Sequence, residues 1–420
     1  MKKINLSAGT FLAIISFSIA GSVIYELPYI RNVYYDKFVE AFGMTNAQVG
    51  FLMSAYAVGC LLLYIPGGIL ADKFSTKKML VLSLMGTGAL GIVMALSMNY
   101  VTALIAFFLF AVTTSFVFWA ALNKGLRIIG GKEDSGSTYG WYYALGSVIS
   151  LVCGLGFWAL YTSTENSHDA MFRTIMAMSI AVIVSGVLVQ ITFKEENTSL
   201  AQTAEEDKFR LSDVGKAIKN PYLWWASIIM FLIYTIYSNV SYFTPYLSSQ
   251  VGMDVSDSSF LGIIRGYVFY FLSPVGGYIA DKLLKSTLRL YGYGFIGLAV
   301  LFFAATRVPA GEDSVAIAIV ISLLASAFAM MLYGVMWSIL NEIDIPISYA
   351  ATAIGISSMV IYLPDLFVPA MIGSWLDNYG EEAGYFRMFI FFGICCMLAV
   401  VLSLTLAERV KMMKAAKEIK

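Results

Sequence analysis

The chain has 420 residues, of which 59% are hydrophobic and only 13% are charged. Because soluble proteins carry roughly a quarter charged residues, this composition excludes an ordinary soluble enzyme and indicates a membrane protein. Basic and acidic side chains balance at 27 each, which excludes the strongly basic surface that binding to nucleic acid requires.

Apolar runs of about 20 residues, the length that crosses a bilayer as a helix, recur along the whole chain. The first run carries Glu26 and is longer than the apolar part of a signal peptide, so we interpret it as a retained helix. Together the runs predict an all-α integral membrane protein with twelve transmembrane helices, at residues 8–30, 46–71, 77–98, 101–124, 137–162, 171–193, 222–247, 258–280, 287–306, 314–340, 348–373 and 384–407.

The longest polar segment, residues 194–220, separates the predicted helices into six and six. We therefore predict an N-terminal bundle over 1–193, a cytoplasmic linker over 194–220 and a C-terminal bundle over 221–420. If both termini are cytoplasmic, 21 of the 27 Lys and Arg residues lie on the inner side. Since basic residues concentrate on that side, the sequence predicts this orientation in the plasma membrane, the inner membrane of a bacterium.

The two predicted bundles repeat one another around a broken helix end. VIYELPYI at Val23–Ile30 aligns with VSYFTPYL at Val240–Leu247, and each copy lies near the end of a long apolar run. Proline frees a backbone carbonyl and bends a helix, so Pro28 and Pro245 are predicted to act as kinks in a gate. We expect the two copies to form the rims of one shared cavity.

A second repeat relates the predicted helices four and ten, because WAALNK at 119–124 matches WSILNE at 337–342. Lys124 and Glu342 occupy equivalent positions and are predicted to form an inner gate. The alternative is two separate charges that extend to water at the membrane surface. In both copies a tryptophan and an asparagine are predicted to line the cavity: Trp119, Asn123, Trp337 and Asn341.

The segment GILADKFSTKK at Gly68–Lys78 resembles the loop between helices two and three of the major facilitator superfamily. Together with the six-plus-six layout, the resemblance covers the whole chain. It implies two pseudo-symmetric six-helix bundles that rock about a central site, which is transport by alternating access. It also implies that Asp72 and Asp281, with Arg127 as a partner, stabilise one facing state through charge contacts. Within the superfamily the chain is most similar in general character to bacterial anion permeases.

Three charged side chains lie deep inside predicted helices. Desolvation makes such charges energetically costly, so charged residues at this depth usually have a function. A rise of about 1.5 Å per residue puts Glu26, Arg265 and Asp365 roughly 24–26 Å from the inner ends of their helices, at one level. We predict that Arg265 binds the charged group of an anionic substrate and that Glu26 or Asp365 is the protonatable coupling residue. The alternative is a salt bridge at the outer gate that does not touch substrate.

Polar side chains also form stripes on apolar helices, and these stripes are predicted to face the cavity. Glu26 shares a helix face with Ser18 and Ser22, and Asp365 shares one with Ser358 and Tyr362. Tyrosine offers a ring and a hydroxyl, which suits a small polar solute. The further predicted substrate-binding residues are Tyr25, Asn239, Tyr242, Tyr246 and Tyr362.

These features predict a secondary active transporter of a small organic anion, such as a carboxylate or sulfonate, driven by protons or by exchange. A carrier of a zwitterion or cation is the alternative, because two buried carboxylates outnumber one arginine, and a non-transporting membrane sensor is a further alternative. The sequence has no phosphate-binding, metal-binding or nucleophile motif, so it predicts no enzyme activity and no cofactor. The expected partners are the substrate, the lipid bilayer and protons, and the expected state is a monomer.

Overall fold

The computed structural model of the protein describes residues 8–130, 135–195, 215, 217–346 and 350–418, and all regular secondary structure in these ranges is helical. In them, ten helices are long and apolar enough to cross a membrane, and the apolar helix Gly9–Val23 is shorter. The last of the ten contains two predicted spans, which Gly380 separates with a φ of 76°. The all-α prediction with two pseudo-symmetric six-helix bundles is confirmed.

The first unit has six membrane helices and, between helices one and two, the additional short helix Arg31–Phe42. The bounds of the six are Ala8–Val23, Asn46–Lys73, Thr76–Ser97, Tyr100–Gly130, Ser135–Tyr161 and Ser167–Thr192.

The second six begin with helix seven at Pro221–Gln250 and helix eight at Val255–Leu284. Helix nine is Thr287–Ala305, and helix ten is Val315–Gly334 followed, after a turn, by Ser338–Glu342. Helix eleven runs over Ala350–Ile361 and continues into the element Pro364–Glu418, in which helix twelve follows Gly380.

Several helices begin at side chains that satisfy their first backbone N–H groups. In each case the side-chain oxygen accepts a hydrogen bond, of 2.9 to 3.3 Å, from the N–H two or three residues later. Such caps are typical of Ser and Asn and fix where a helix starts. The capping residues are Ser75, Asn99, Asn166, Asn220 and Ser286.

Backbone irregularities occur in only half of the membrane helices within the described ranges. Helix one gives way to turns at 24–30, helix ten has a turn at 335–337, and helix eleven has one at 362–363. Helices four, seven and eight contain π-helical turns, which are frequent at functional sites. Irregular backbone inside a membrane requires protein or water beside it rather than lipid. In each unit the irregular helices are therefore expected to face protein or water at these places: helices one and four in the first unit, and helices seven, eight, ten and eleven in the second.

The breaks in helices one and seven precede their prolines, as the repeated motif predicts. Helix one stops at Val23, five residues before Pro28, and helix seven changes to a 3-10 turn at Val240–Tyr242, just before Pro245. A proline cannot donate the hydrogen bond that would continue the preceding turn. The role of these breaks in gating stays a prediction.

The protein divides into two compact units. The first contains helices one to six together with Val255–Ile263, and the second contains helix seven, the rest of helix eight and helices nine to twelve. In the first unit, the indole N–H of Trp158 donates to the carbonyl of Ser256 at 3.0 Å, and its ring contacts Phe260. The ends of the bundles at 193 and 221 stay predictions.

Candidate functional site

Arg265 is a buried cation in the second unit, with 5% of its surface exposed. It lies in the π-helical turn Ile264–Val268, and its Nη2 donates to Oγ1 of Thr244 at 2.5 Å. Its Nε and Nη1 are buried without a hydrogen bond, and it forms no ion pair with any described residue. Burying a charged donor without a partner is destabilising, so such a group requires an explanation. The turn therefore presents an uncompensated positive charge.

The bond to Thr244 leaves the guanidinium able to hold an anion with two hydrogen bonds. Nη2 carries two protons, one toward Nε and one toward Nη1, and Thr244 takes one of them. The other proton of Nη2 then points to the same side as the N–H of either Nε or Nη1. These two N–H groups can bind two oxygens of a carboxylate, sulfonate or similar group. Paired charge-assisted bonds of this kind are strong and geometrically specific.

Asp365 is also buried in the second unit, and it lies just after the break in helix eleven. Its Oδ2 accepts a hydrogen bond of 2.6 Å from the hydroxyl of Tyr234. Both the carboxylate and the guanidinium thus contact helix seven, but at positions ten residues apart, which is about 15 Å along a helix.

The structure therefore places Arg265 and Asp365 at different levels, not at the single level that the sequence suggested. On helix seven, the carboxylate of Asp365 meets Tyr234, while the guanidinium of Arg265 meets Thr244, ten residues further along.

Five tyrosines lie around Asp365 and beside the turn that carries Arg265, and we call them the tyrosine cluster. Ring centroids of Tyr234 and Tyr362 are 4.8 Å apart, and those of Tyr237 and Tyr333 are 3.7 Å apart. The hydroxyls of Tyr237 and Tyr270 are hydrogen-bonded at 3.0 Å. Helices seven, eight, ten and eleven contribute the members, which are Tyr234, Tyr237, Tyr270, Tyr333 and Tyr362.

The predicted residues of the VSYFTPYL copy lie in the interior of the second unit. Tyr242 is almost completely buried and donates to the carbonyl of Pro369 at 2.9 Å. Asn239 donates to the carbonyl of Thr235, while its buried Oδ1 has no hydrogen-bond partner among the described residues. The ring of Tyr246 packs against Tyr385 and Phe389. Their predicted contact with substrate stays a prediction.

In the first unit, Tyr25 belongs to an aromatic group beside the π-helical turn of helix four. Its ring contacts Tyr29 and Phe118, and Tyr29 contacts Tyr56. The hydroxyl of Tyr56 shares a hydrogen bond of 2.9 Å with Thr114, inside that turn.

Trp119 and Asn123 follow the same turn and are half-buried. The amide of Asn123 donates to the carbonyl of Trp119 at 2.8 Å and accepts from the hydroxyl of Tyr139 at 3.2 Å. Both the nitrogen and the oxygen of the Asn123 amide thus form hydrogen bonds within the first unit. The predicted role of Asn123 in substrate binding stays a prediction.

The polar stripe of helix one packs against helix five, which corrects the prediction that its serines face a cavity. Ser18 and Ser22 donate to the carbonyls of Tyr142 and Gly146 at 3.1 and 2.9 Å. Hydroxyls on closely packed membrane helices commonly bond across the helix interface, and a sequence pattern cannot distinguish that interface from a cavity.

Glu26, at the end of this stripe, is buried and interacts electrostatically with Tyr34 and Cys153. The hydroxyl of Tyr34 donates to the carbonyl of Gly154 on helix five. The carboxylate of Glu26 is therefore close to the helix-five side of the first unit. Its predicted coupling role stays a prediction.

A pocket of about 170 Å³ lies at the end of helix ten in the second unit. Two of the predicted binding residues, Trp337 and Asn341, form part of its wall, and the other lining residues are Leu340, Ile345 and Ile354.

The predicted gating residues differ in how they are held. Glu342 accepts hydrogen bonds from the hydroxyl of Ser286 at 2.5 Å and from the N–H of Leu288 at 2.9 Å, so it caps helix nine of its own unit. Lys124 is half-buried. Arg127 and Asp281 are exposed and form no ion pair with a described residue. The side chain of Asp72 lies outside the described residues.

Of the tyrosine cluster, only Tyr362 was among the predicted substrate-binding residues; the other four members and Thr244 were not. Tyr237 follows Tyr234 by three residues, a spacing that places both on one helix face. That spacing was the available signal. Thr244 and Tyr333 are brought to the site by tertiary packing alone.

The chain is similar in sequence to known membrane proteins. The family model described as Major Facilitator Superfamily matches residues 6–369. The chain is 29% identical to the inner membrane protein YqcE of Escherichia coli strain K12, over 95% of each protein. It is 21% identical to the hexuronate transporter of Bacillus subtilis strain 168, over 85% of this chain and 86% of that one.

The fold was also compared with solved structures. A bacterial homolog of the human lysosomal transporter Spinster, crystallised inward-facing and unoccupied, matches with a TM-score of 0.76 and 13% identity, over 96% of this chain and 98% of that one. A D-xylose–proton symporter matches with a TM-score of 0.68 and 15% identity, over 94% and 96%. These matches show a shared fold.

Proposed function

Because the chain belongs to the major facilitator superfamily, we propose that it is a secondary active transporter of a small organic anion. The observation that carries the proposal is Arg265, whose buried guanidinium has two nitrogens that make no hydrogen bond with a described residue. A carboxylate or sulfonate would supply the missing acceptors and neutralise the charge. The similarity to a protein named as a hexuronate transporter supports the same substrate class, because a hexuronate is a carboxylate anion.

Alternating access gives Arg265 its place in the cycle. Its unpaired nitrogens are shielded from solvent in this conformation, so the anion reaches them in a different conformation. Binding replaces an unsatisfied cation with a neutral pair, and the favourable energy of that change is available to drive the next conformational step. Transport is coupled to protons, with Asp365 as the protonatable group, or proceeds by exchange of one anion for another.

We also propose that both termini lie in the cytoplasm and that the protein resides in the bacterial inner membrane as a monomer. The distribution of Lys and Arg supports the orientation, and the similarity to an inner membrane protein of Escherichia coli supports the location. Fusing a reporter that is active only in the cytoplasm to the C terminus tests the orientation directly.

The test of the anion site is replacement of Arg265 in purified protein, with anion uptake measured in proteoliposomes. Arg265→Gln removes the charge, and loss of a buried charged contact of about 2 kcal/mol or more lowers uptake roughly 30-fold. Arg265→Lys keeps the charge but lacks the two-nitrogen edge, so it restores only part of the rate. Arg307→Gln, an exposed arginine, is the matched control and leaves uptake unchanged. Unchanged uptake in Arg265→Gln would overturn the proposal.

A carrier of a cation or zwitterion is the second candidate, and the surroundings of Asp365 favour it. A carboxylate among aromatic rings is suited to an ammonium group, because cations bind to the faces of aromatic rings. A thermal-shift screen with anions, zwitterions and cations separates the two candidates. Stabilisation by ammonium compounds alone, lost in Asp365→Asn and retained in Arg265→Gln, would select the second one.

A further inference from the structure

The tyrosine cluster gives the second unit a polar face with three kinds of binding group: aromatic ring faces, hydroxyls and the carboxylate of Asp365. Tyr270 is 45% exposed and Tyr333 is half-buried, so the face is open. Polar and ionisable groups are costly against lipid and normally face a water-filled space. Four of the six helices with irregular backbone contribute this face, which agrees with a position beside an aqueous cavity.

We infer that the transported anion is a polyhydroxylated carboxylate of about six carbons, which is a sugar acid. Its acid group binds Arg265, and its hydroxylated carbons bind the tyrosine cluster. The inference rests on the proposed function, because it assigns the rest of the molecule whose acid group Arg265 holds.

The chemistry of the cluster matches a hydroxylated chain better than a bare hydrocarbon. Ring faces pack against the C–H surface of a sugar, while tyrosine hydroxyls and Asp365 exchange hydrogen bonds with its hydroxyl groups. The hydroxyl of Tyr333 makes no hydrogen bond with a described residue, and it is therefore available to a ligand. A hydrocarbon chain would offer the hydroxyl of Tyr333 no hydrogen bond, which selects against it.

The spacing along the helices sets the size of the molecule. Tyr270 follows Arg265 by five residues on helix eight, and Thr244 follows Tyr237 by seven on helix seven, which gives axial separations of about 7 to 10 Å. An extended chain advances about 1.25 Å per carbon–carbon bond, so a six-carbon chain with its terminal oxygens is roughly 8–9 Å long and spans this distance. A two-carbon anion reaches Arg265 or the cluster, but not both.

The first experiment measures uptake of radiolabelled gluconate into proteoliposomes, with competitors that differ in one property each. Hexanoate has the carboxylate and six carbons but lacks the hydroxyls, and sorbitol has the hydroxyls but lacks the charge. Unlabelled gluconate is expected to compete at least about 10-fold better than either, because each competitor loses one of the two sets of contacts.

The second experiment uses Tyr333→Phe, which removes one hydroxyl and keeps the ring. Because that hydroxyl has no partner among the described residues, its removal breaks no internal bond there, and folding should be unaffected. We expect gluconate affinity to fall about 2- to 10-fold, the effect of one neutral hydrogen bond, while hexanoate affinity is unchanged. Tyr293→Phe, an exposed tyrosine of helix nine, is the matched control and has no effect.

The outcomes separate the two proposals. If hexanoate competes as well as gluconate, or if Tyr333→Phe weakens both equally, the sugar-acid inference is overturned and an anion carrier remains. If sorbitol competes as well as gluconate and Arg265→Gln leaves uptake unchanged, the anion site itself is wrong. If the folded protein neither transports nor binds any carboxylate or sulfonate, hydroxylated or not, both proposals are overturned.

Discussion

At the scale of single residues, Thr244 decides how Arg265 is held. Its hydroxyl oxygen accepts from Nη2, while two other guanidinium nitrogens have no acceptor among the described residues. A threonine in this position fixes the direction of the guanidinium without neutralising its charge. An aspartate there would pair with the arginine and compete with an incoming anion.

Replacing Thr244 tests this division of roles. In Thr244→Val the guanidinium loses its hydrogen bond, and the ligand-free protein is destabilised by about 1.5–3 kcal/mol, the usual size for a bond to a charged group. The thermal midpoint in detergent should fall, and saturating anion should raise it by more than in the wild-type protein, because the ligand then supplies the missing acceptor.

Thr244→Ser keeps the hydroxyl and serves as the control, with a midpoint near that of the wild-type protein. If the valine variant is as stable as the serine variant without ligand, Thr244 does not hold Arg265.

At the scale of helices, carboxylates cap one helix in each unit. Glu195 accepts hydrogen bonds from the hydroxyl of Ser75 and from the N–H groups of Thr76 and Lys77 at the start of helix three. Glu342 does the same for helix nine. A negative charge at a helix N-terminus is stabilising, because the unpaired N–H groups there carry partial positive charge.

The cap on helix three predicts a pH dependence. Burial alone would raise the pKa of Glu195, but the hydrogen bonds from Ser75, Thr76 and Lys77 outweigh burial and lower it. A carboxylate with a lowered folded-state pKa contributes stability above its ordinary pKa of about 4.5 and loses it as the pH falls through the folded value. Glu195→Gln should therefore lower the thermal midpoint at pH 7, by an amount equivalent to about 1 kcal/mol or less.

The difference between Glu195→Gln and the wild-type protein should shrink as the pH falls below about 4.5, because the wild-type carboxylate is then protonated too. Glu382→Gln, at an exposed position, controls for the removal of one charge. A difference that stays constant with pH would show that the charge of Glu195 does not contribute.

The helices were largely predictable and their contacts were not. Apolar length predicts spans well, since the bilayer fixes the length of a helix. The proline motif also predicted the breaks before Pro28 and Pro245. Hydropathy carries no information on which neighbour a polar side chain contacts. The sequence therefore predicts that Ser18 and Ser22 face a cavity, whereas both form hydrogen bonds to helix five. The different levels of Arg265 and Asp365 follow from their contacts with helix seven, at Thr244 and Tyr234, and tertiary contacts of this kind cannot be predicted from hydropathy.

At the scale of the whole molecule, regular and irregular helices have different positions in the chain. In the described ranges, helices two, three, five, six, nine and twelve are regular, while the other six contain a turn, a 3-10 segment or a π-helical segment. The repeat places irregular helices at the first and fourth positions of both halves. Stiff helices can move as a body, and we expect local breaks to allow the irregular helices to adjust during a conformational change.

Asp365 lies directly after one of these breaks. Replacing it tests whether transport is coupled to protons through this carboxylate. Its carboxylate is held by Tyr234, and its protonation would change the charge of the second unit by one. Asp365→Asn fixes the neutral form in a side chain of nearly the same size. We expect this variant to lose accumulation of the anion driven by a proton gradient, because the residue can no longer bind and release a proton.

Exchange of labelled for unlabelled anion at equal pH should persist in Asp365→Asn, since exchange needs only anion binding and the conformational change. Both rates are measured in the same proteoliposomes, with Asp377→Asn as the control at an exposed carboxylate. Loss of both activities in a folded protein would place Asp365 in anion binding or in the conformational change rather than in coupling. Accumulation at the wild-type level would exclude Asp365 as the coupling group and leave Glu26 as the other predicted carboxylate.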